Sequence, residues 1–595
     1  MFMRRRVAIG HFAIFLLSLM ACRSTGAPLA PIKGNVAAAK RALGRCLATM
    51  GHQEWPLDSL HGGACPAFRT FAREFLEAAG PDLIPIVTSL MTECASGDAH
   101  FLLVAVLGDS RNPEGLPILK SLLPVPRSFA NQEAALYSIG MLRSKEGLEF
   151  LMHWLTTSLE SGAIRGTHLF TPAIEAIGLH GATSLDFMLA EARANERQFG
   201  YPMKEDILAM VRGEDAEEAL RRLFETDKDE GIRRGAAMAL GWSVKPSTLE
   251  YWANRGDYEC AGLALLAPRR VPDIWNATAS TRREVAERIL AALKNPPSDP
   301  DCMLSLANLA ALASPVKARR VFEAMLASFL DPEAYQNAWV QMTVGSFADQ
   351  PDLDLPRLRK LSKLSPFDFR IRVEWGVLWA PLSGKEIGGS KIIREVLESA
   401  LKPDPEEVEG WVDRGPLRAV MRSGISEASL SEALKEAWRR APSLEAKHAI
   451  LIAVQKGAFL DHSGQDGSLQ WTQPDSFLIS VLRDDPEPGL RLTAAAAYFY
   501  AGCPAAPHPA ALRAAADLIA RSDWKDEYEK FDSNVVGFNL VKLIVAYYSR
   551  FGTPADIPQL KALPETFPYP EDFNYRENMV WMLDRAIDAI RLRAN

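Results

Sequence analysis

Gly231-Ile232-Arg233-Arg234-Gly235-Ala236-Ala237-Met238-Ala239-Leu240-Gly241 is a run of small and apolar residues closed by glycine. Its alanines let neighbouring helices approach closely. The same closing pattern precedes it at Ala105-Val106-Leu107-Gly108, Ser138-Ile139-Gly140 and Ala176-Ile177-Gly178, with a weaker copy at Met210-Val211-Arg212-Gly213. The glycines are 32, 38, 35 and 28 residues apart. Seven or eight residues after each one a leucine opens a new amphipathic run, at Leu116, Leu148, Leu185, Leu220 and Leu249. Two helices and two turns fill such a period, and neither helix buries its apolar face alone, so neighbouring pairs must stack. Each glycine is expected just past a helix end, where a left-handed backbone costs it little.

The runs are helical by their spacing. Leu148, Leu151, Met152, Leu155 and Leu159 share one helical face. Thr281-Arg282-Arg283-Glu284 and Ser429-Leu430-Ser431-Glu432 read as capping boxes opening further helices. A second copy of the first half of the opening stretch is Gly489-Leu490-Arg491-Leu492-Thr493-Ala494-Ala495-Ala496-Ala497.

These stretches resemble HEAT-like repeats, including the type named after phycobilisome lyases, over about residues 98 to 255 and again near 484 to 500. The resemblance implies an all-α fold, an α-solenoid of stacked antiparallel helix pairs in a right-handed superhelix. It also implies that Arg233 and Arg491 are structural, each pairing with the acid four residues upstream, Asp229 and Glu487. Tetratricopeptide repeats have a similar period, but their Trp-x-x-Leu-Gly-x-x-Tyr pattern is absent from the chain.

At the other end of the chain, Arg4, Arg5 and Arg6 precede an apolar run from Val7 to Ala21, the layout of a secretory signal. The run is too short to span a bilayer, which takes roughly 20 apolar residues. Leu19-Met20-Ala21-Cys22 resembles a bacterial lipobox, which implies cleavage before Cys22 and lipid on its sulfur. The alternative is a soluble secreted protein cut elsewhere, after Ala27. Arg23, where an acid often retains such lipoproteins in the inner membrane, favours the outer membrane of the cell envelope. The expected organisation is a signal at residues 1–21, a tether at 22–35, an N-terminal repeat array at 36–266 and a degenerate array at 267–595, with the border in the irregular stretch Ala267 to Ser280.

Removal of the signal takes the formal charge from −7 to −10. Lys and Arg are interleaved with Asp and Glu, so the basic stripe that a nucleic-acid partner needs is missing. Six cysteines beyond Cys22 are too few for a disulfide framework in so long a chain, and none are spaced as zinc ligands. Cys46 and Cys65 fall at facing ends of the first two helices and are expected to pair, with Cys65 and Cys94 as the alternative. His52 and His61 lie between them in a hinge.

No His-Glu-x-x-His, Gly-x-Ser-x-Gly or Gly-x-Gly-x-x-Gly occurs, so no catalytic residue, metal site or cofactor is assigned. Gly384 to Lys391 fails as a phosphate loop because its last residues read Ser-Lys. Asp461 to Ser468 lacks the glycine and the terminal glutamate of a calcium loop. Trp154, Trp252, Trp438 and Trp581 fall in apolar helical patterns and are expected in the core, whereas Trp471 and Trp524 have polar surroundings. The expectation is therefore a lipid-anchored envelope scaffold that holds a protein or peptide partner, touching the membrane through its anchor only. The alternatives are an envelope enzyme with dispersed catalytic residues and an assembly factor or chaperone.

Overall fold

The computed structural model describes residues 34–49, 66–123, 129–161, 169–194, 204–255, 257–266, 272–293, 306, 309, 312, 313, 427–441, 443–459, 473–501, 507–520, 533–566 and 575–594. Cys22, His52, His61, Cys65, Trp471, Trp524 and the loops 384–391 and 461–468 lie outside these residues. All regular structure in the described residues is helical. The N-terminal part comprises α1 (Val36–Thr49), α2 (Pro66–Ala79), α3 (Leu83–Glu93), α4 (Gly97–Ser110), α5 (Leu116–Leu122), α6 (Phe129–Met141), α7 (Lys145–Glu160) and α8 (Phe170–Gly178). It continues with α9 (Ala182–Ala194), α10 (Lys204–Ala209), α11 (Glu217–Thr226), α12 (Glu230–Leu240), α13 (Pro246–Arg255), α14 (Tyr258–Leu266) and α15 (Pro272–Ala292). The C-terminal part comprises α16 (Glu427–Arg440), α17 (Leu444–Phe459), α18 (Asp475–Asp484), α19 (Pro488–Ala496), α20 (Pro509–Ile519), α21 (Ser533–Phe551), α22 (Ile557–Thr566) and α23 (Tyr575–Ala594).

The helices stack as antiparallel pairs. A first row, α4, α6, α8, α10, α12 and α14, packs in sequence, and α7 and α9 of the second row each lie against the two first-row helices that flank them in sequence. Sequence dictates each element locally. Ser144 caps α7 by accepting from the Gly147 amide at 3.0 Å, and Leu148, Leu151 and Leu155 are then buried on one face. Each such leucine contributes about 1.5–3 kcal/mol by leaving water. Helix α4 is buried from Phe101 to Gly108 because it has neighbours on every side.

Two expectations about these elements change. Helix α15 runs through Thr281 without interruption and α16 already begins at Glu427, so neither Thr281 nor Ser429 opens a helix, and residues 272–280 of the expected border are helical. One core extends from Ala39 across residue 266 to Leu312. Of the five repeat glycines, Gly213 has the positive φ expected of them (152°), and the other four have a different purpose from the one their position suggested. Gly241 has φ −61°, an ordinary helical value, and a Cβ there would fall inside the carbonyl oxygen of Ala264. A Cβ on Gly140 would lie 2.5 Å from the Ala176 oxygen, and one on Gly178 would overlap that of Met210. First-row helices thus cross on glycine, and the left-handed turn residue comes three positions later, at Arg111 (φ 53°), Arg143 (φ 50°) and Gly181 (φ 61°).

The last helix returns to the first. Helix α23 packs against α1, α4 and α21, and its Ala589 and Leu592 belong to the same core as Ala39. Gly44 makes room for this crossing, since a Cβ on it would stand 2.9 Å from that of Leu592. Polar groups fix the register. The buried Asp588 carboxylate accepts from the Ala95 and Ser96 amides at 2.9 and 2.8 Å, just before α4, and the Arg585 guanidinium lies 3.4 Å from the Leu47 carbonyl near the end of α1. The first helix pair therefore has neighbours on both sides rather than the single neighbour of an open array. Trp581, expected in the core, is 41% exposed beside Gly97 at this seam, because α23 turns its Leu583, Ala586 and Ile590 face inward instead.

Burial raises the Asp588 carboxyl above the ordinary aspartate range, an effect that the Ser96 and Ala95 amides only partly offset. A carboxyl whose pKa rises on folding contributes stability in acid that is lost as pH climbs through its folded pKa. Asp588→Ala leaves the buried Ser96 amide and the half-buried Ala95 amide without their acceptor and is expected to cost about 1–3 kcal/mol. Asp588→Asn keeps an acceptor oxygen without the titration. Its stability relative to wild type should rise between the ordinary aspartate range and neutral pH; urea melts at acid and neutral pH that run parallel for the two proteins would refute this.

Candidate functional site

A groove of about 720 Å³ runs along the edge where successive first-row helices end. Every repeat from α4 to α12 contributes its turn: Arg111 after α4, Tyr137, Met141 and Arg143 from α6, His180 after α8, Arg212 after α10, and Trp242 and Val244 after α12. The periodicity of the stack thus brings residues spread over more than a hundred positions onto one line. Tyr137 is buried in the wall, whereas Val244 is 43% exposed.

The charges in the groove divide into engaged and unengaged groups. Arg212 donates to the Tyr137 hydroxyl at 3.1 Å and stacks over the Trp242 ring, 4.2 Å from its centroid, while the Trp242 indole donates to the Ala209 carbonyl at 2.8 Å. Asp215 accepts from the Ala182 amide at 3.2 Å, at the start of α9, and Glu214 lies 3.5 Å from the Lys245 ammonium. Burial and the neighbouring Arg143 push the His180 imidazole down to about 4, so it is neutral at physiological pH, and its buried Nε2 has no hydrogen-bond partner. Arg111 and Arg143 are the exception: among the described residues neither guanidinium forms a hydrogen bond or an ion pair. Both sit on left-handed backbone, which costs a non-glycine residue about 1–2 kcal/mol. Gly181 holds the equivalent position one repeat on, where a Cβ would collide with the Asp215 carboxylate.

The residues singled out from the sequence have other partners than expected. Asp229 caps α12 through the Ile232 amide at 3.3 Å and accepts from Lys204 at 2.8 Å. Arg233 donates instead to the Asp227 carbonyl at 3.2 Å, at the end of α11, and Arg491 to the Leu482 carbonyl at 2.9 Å, near the end of α18. Neither Asp229–Arg233 nor Glu487–Arg491 forms an ion pair: the Asp229 carboxylate aims at its own first turn, and Arg491, like Arg233, turns to a carbonyl of the preceding helix. The arginine one turn on reaches back to the preceding helix, whose last carbonyls lack helical partners and carry the negative end of the dipole. Both arginines are therefore structural, as latches between helices.

Cys46 is buried on α1, and its expected partner Cys65 lies outside the described residues. Burial and the nearby Asp588 push the Cys94 thiol up to about 12, and the alternative pairing of Cys94 with Cys65 likewise involves a residue outside the described ones. Among the described residues no three His, Cys, Asp or Glu side chains gather in the way a metal ion needs, and no helix is long and apolar enough to cross a membrane. The groove arginines escaped the sequence reading, although a signal was present: once Gly108, Gly140 and Gly178 are aligned, the third residue on reads Arg, Arg, Gly. No protein-family model matches the chain, and no curated protein matches it in sequence.

Proposed function

We propose that the chain is a lipid-tethered scaffold of the bacterial cell envelope that holds a protein or peptide partner on the turn edge of a HEAT-like stack wound as a right-handed superhelix. The observation that carries this reading is the groove, which draws equivalent positions from successive repeats. A solenoid offers a surface of that kind to an elongated partner. Catalysis is served instead by a deep pocket with convergent polar groups. A photo-reactive residue in place of Val244 is expected to crosslink to a protein partner in intact cells. One in place of the exposed Glu149 of the second row is not. Equal labelling from both positions, or none from Val244, would count against the groove as the working surface.

The tether is assigned to Cys22, after removal of residues 1–21, from the Leu19-Met20-Ala21-Cys22 tail, and Arg23 points to the outer membrane. Each acyl methylene buried in a bilayer contributes about 0.8 kcal/mol, so more than one chain on a single sulfur holds the protein firmly. Cys22→Ser is expected to leave the signal uncut or to move the protein from the membrane fraction to the soluble one. Unchanged cleavage and unchanged membrane fractionation together would refute lipidation at this residue.

A further inference from the structure

Arg111 and Arg143 occupy the same turn position on adjacent first-row helices, on backbone that favours glycine, and neither has a hydrogen-bond or ion-pair partner among the described residues. The turn itself does not demand arginine, since the equivalent residue one repeat on is Gly181. Strained residues persist where something else requires them. In an acidic chain, with 74 Asp and Glu against 67 Lys and Arg, two neighbouring cations that face only the partial negative charge of their own helix ends, and no carboxylate partner among the described residues, are a local reversal of the overall field.

We infer, building on the scaffold reading, that the groove takes an extended acidic peptide segment of its partner, with two carboxylates two or three residues apart, one held by Arg111 and the other by Arg143. The spacing follows from the stack. Helices packed as α4 and α6 are lie about 8–10 Å apart, and an extended chain advances about 3.3 Å per residue. Arginine suits this task because its planar fork binds a carboxylate through two parallel hydrogen bonds. The rest of the groove gives the segment a direction. Beyond Arg143, the Arg212–Trp242 stack with Met141 and Val244 offers an aromatic and apolar floor. Glu214 and Asp215 at that end repel a further carboxylate and so set the acidic pair toward Arg111. A cavity of about 720 Å³ with Tyr137 buried in its wall admits a peptide chain, whereas a flat anionic membrane would reach only its rim.

The test is fluorescence anisotropy with the purified full chain and a labelled nonapeptide of alanine and glycine carrying two glutamates three residues apart. Binding is expected, weakening as salt is added. It should fall at least about tenfold when both glutamates become glutamine, and at least about tenfold with either Arg111→Gly or Arg143→Gly, as loss of a charge-assisted bond implies. The same two variants should melt at an unchanged or higher temperature, because glycine relieves the left-handed backbone. Loss of binding through misfolding would instead lower it. Equal affinity for the glutamine peptide overturns the acidic specificity while leaving a peptide groove. Absence of peptide binding, or binding of phosphatidylglycerol vesicles that the double variant loses, overturns the inference altogether. Crosslinking from Val244 decides the scaffold reading separately from either result.

Discussion

Arg282→Met is expected to lower the stability of the N-terminal stack by about 3–5 kcal/mol, since each buried carbonyl left unsatisfied costs about 1–3 kcal/mol. Arg282 is wholly buried on α15, with no carboxylate beside it. Its Nη2 donates to the Gly241 and Ser243 carbonyls at 2.7 and 3.2 Å, its Nη1 to the Leu265 carbonyl at 3.0 Å, and its Nε to the Thr278 hydroxyl at 2.6 Å. One planar group thus closes the carbonyl ends of α12 and α14 together. Burial pulls its pKa down to about 10, which leaves it cationic at neutral pH against two negative helix termini. Arg282→Lys should recover only part of the loss, because an ammonium is a point donor that cannot span these acceptors. Urea unfolding with hydrogen exchange resolved over α12 to α15 measures the effect. A methionine variant within about 1 kcal/mol of wild type, by the scale of a single hydrogen bond, would show that the latch is dispensable.

Gly241→Val should be of comparable size, about 3 kcal/mol or more, exceeding ordinary overpacking because its obstacle is backbone. The first atom of any side chain at Gly241 collides with the Ala264 carbonyl, so α12 and α14 must separate. Arg282 binds to the carbonyls on both sides of that crossing, so the two lesions share one site and their costs should not add. Gly115→Ala is the control. The nearest atom to a Cβ there is 3.5 Å away, ordinary contact, and its melting curve should match wild type closely. If Gly241→Val unfolds at the same urea concentration as Gly115→Ala, the close crossing is not what the repeat glycine provides.

The all-helical stack was legible because its determinants are local. Ser144 and the Leu148, Leu151 and Leu155 stripe are neighbours in sequence and specify α7 unaided. The glycine register was legible too, but its cause was not. A period shows that glycine recurs, without showing whether a positive φ or a touching backbone demands it, and Gly241 answers to the second. Asp229 and Arg233 misled in a related way: a spacing of four suggests a pair along one helix, whereas each reaches outside α12 to Lys204 and to Asp227. The closing seam left no signal at all. Asp588 and Ala95 are 493 positions apart, and nothing in the local pattern of α23 indicates that it meets α1 and α4. The groove falls between these cases, because Arg111 and Arg143 become conspicuous only once the register has aligned them with Gly181.

The return of α23 to α1 bears on how the protein is made. Repeats zip up from contacts between neighbours, which form while the chain is still emerging. Arg585 and Leu47, by contrast, are 538 residues apart, so their contact waits until residue 585 has been synthesised. Until then the flank of α1 bearing Leu43, Gly44 and Leu47 lacks its cover. A chain lacking residues 575–594 would keep its stacked repeats yet expose that apolar strip at the opposite terminus. Quality control acting on nascent or truncated chains would therefore read the loss of residues 575–594 from the surface of α1 around Leu43 and Leu47.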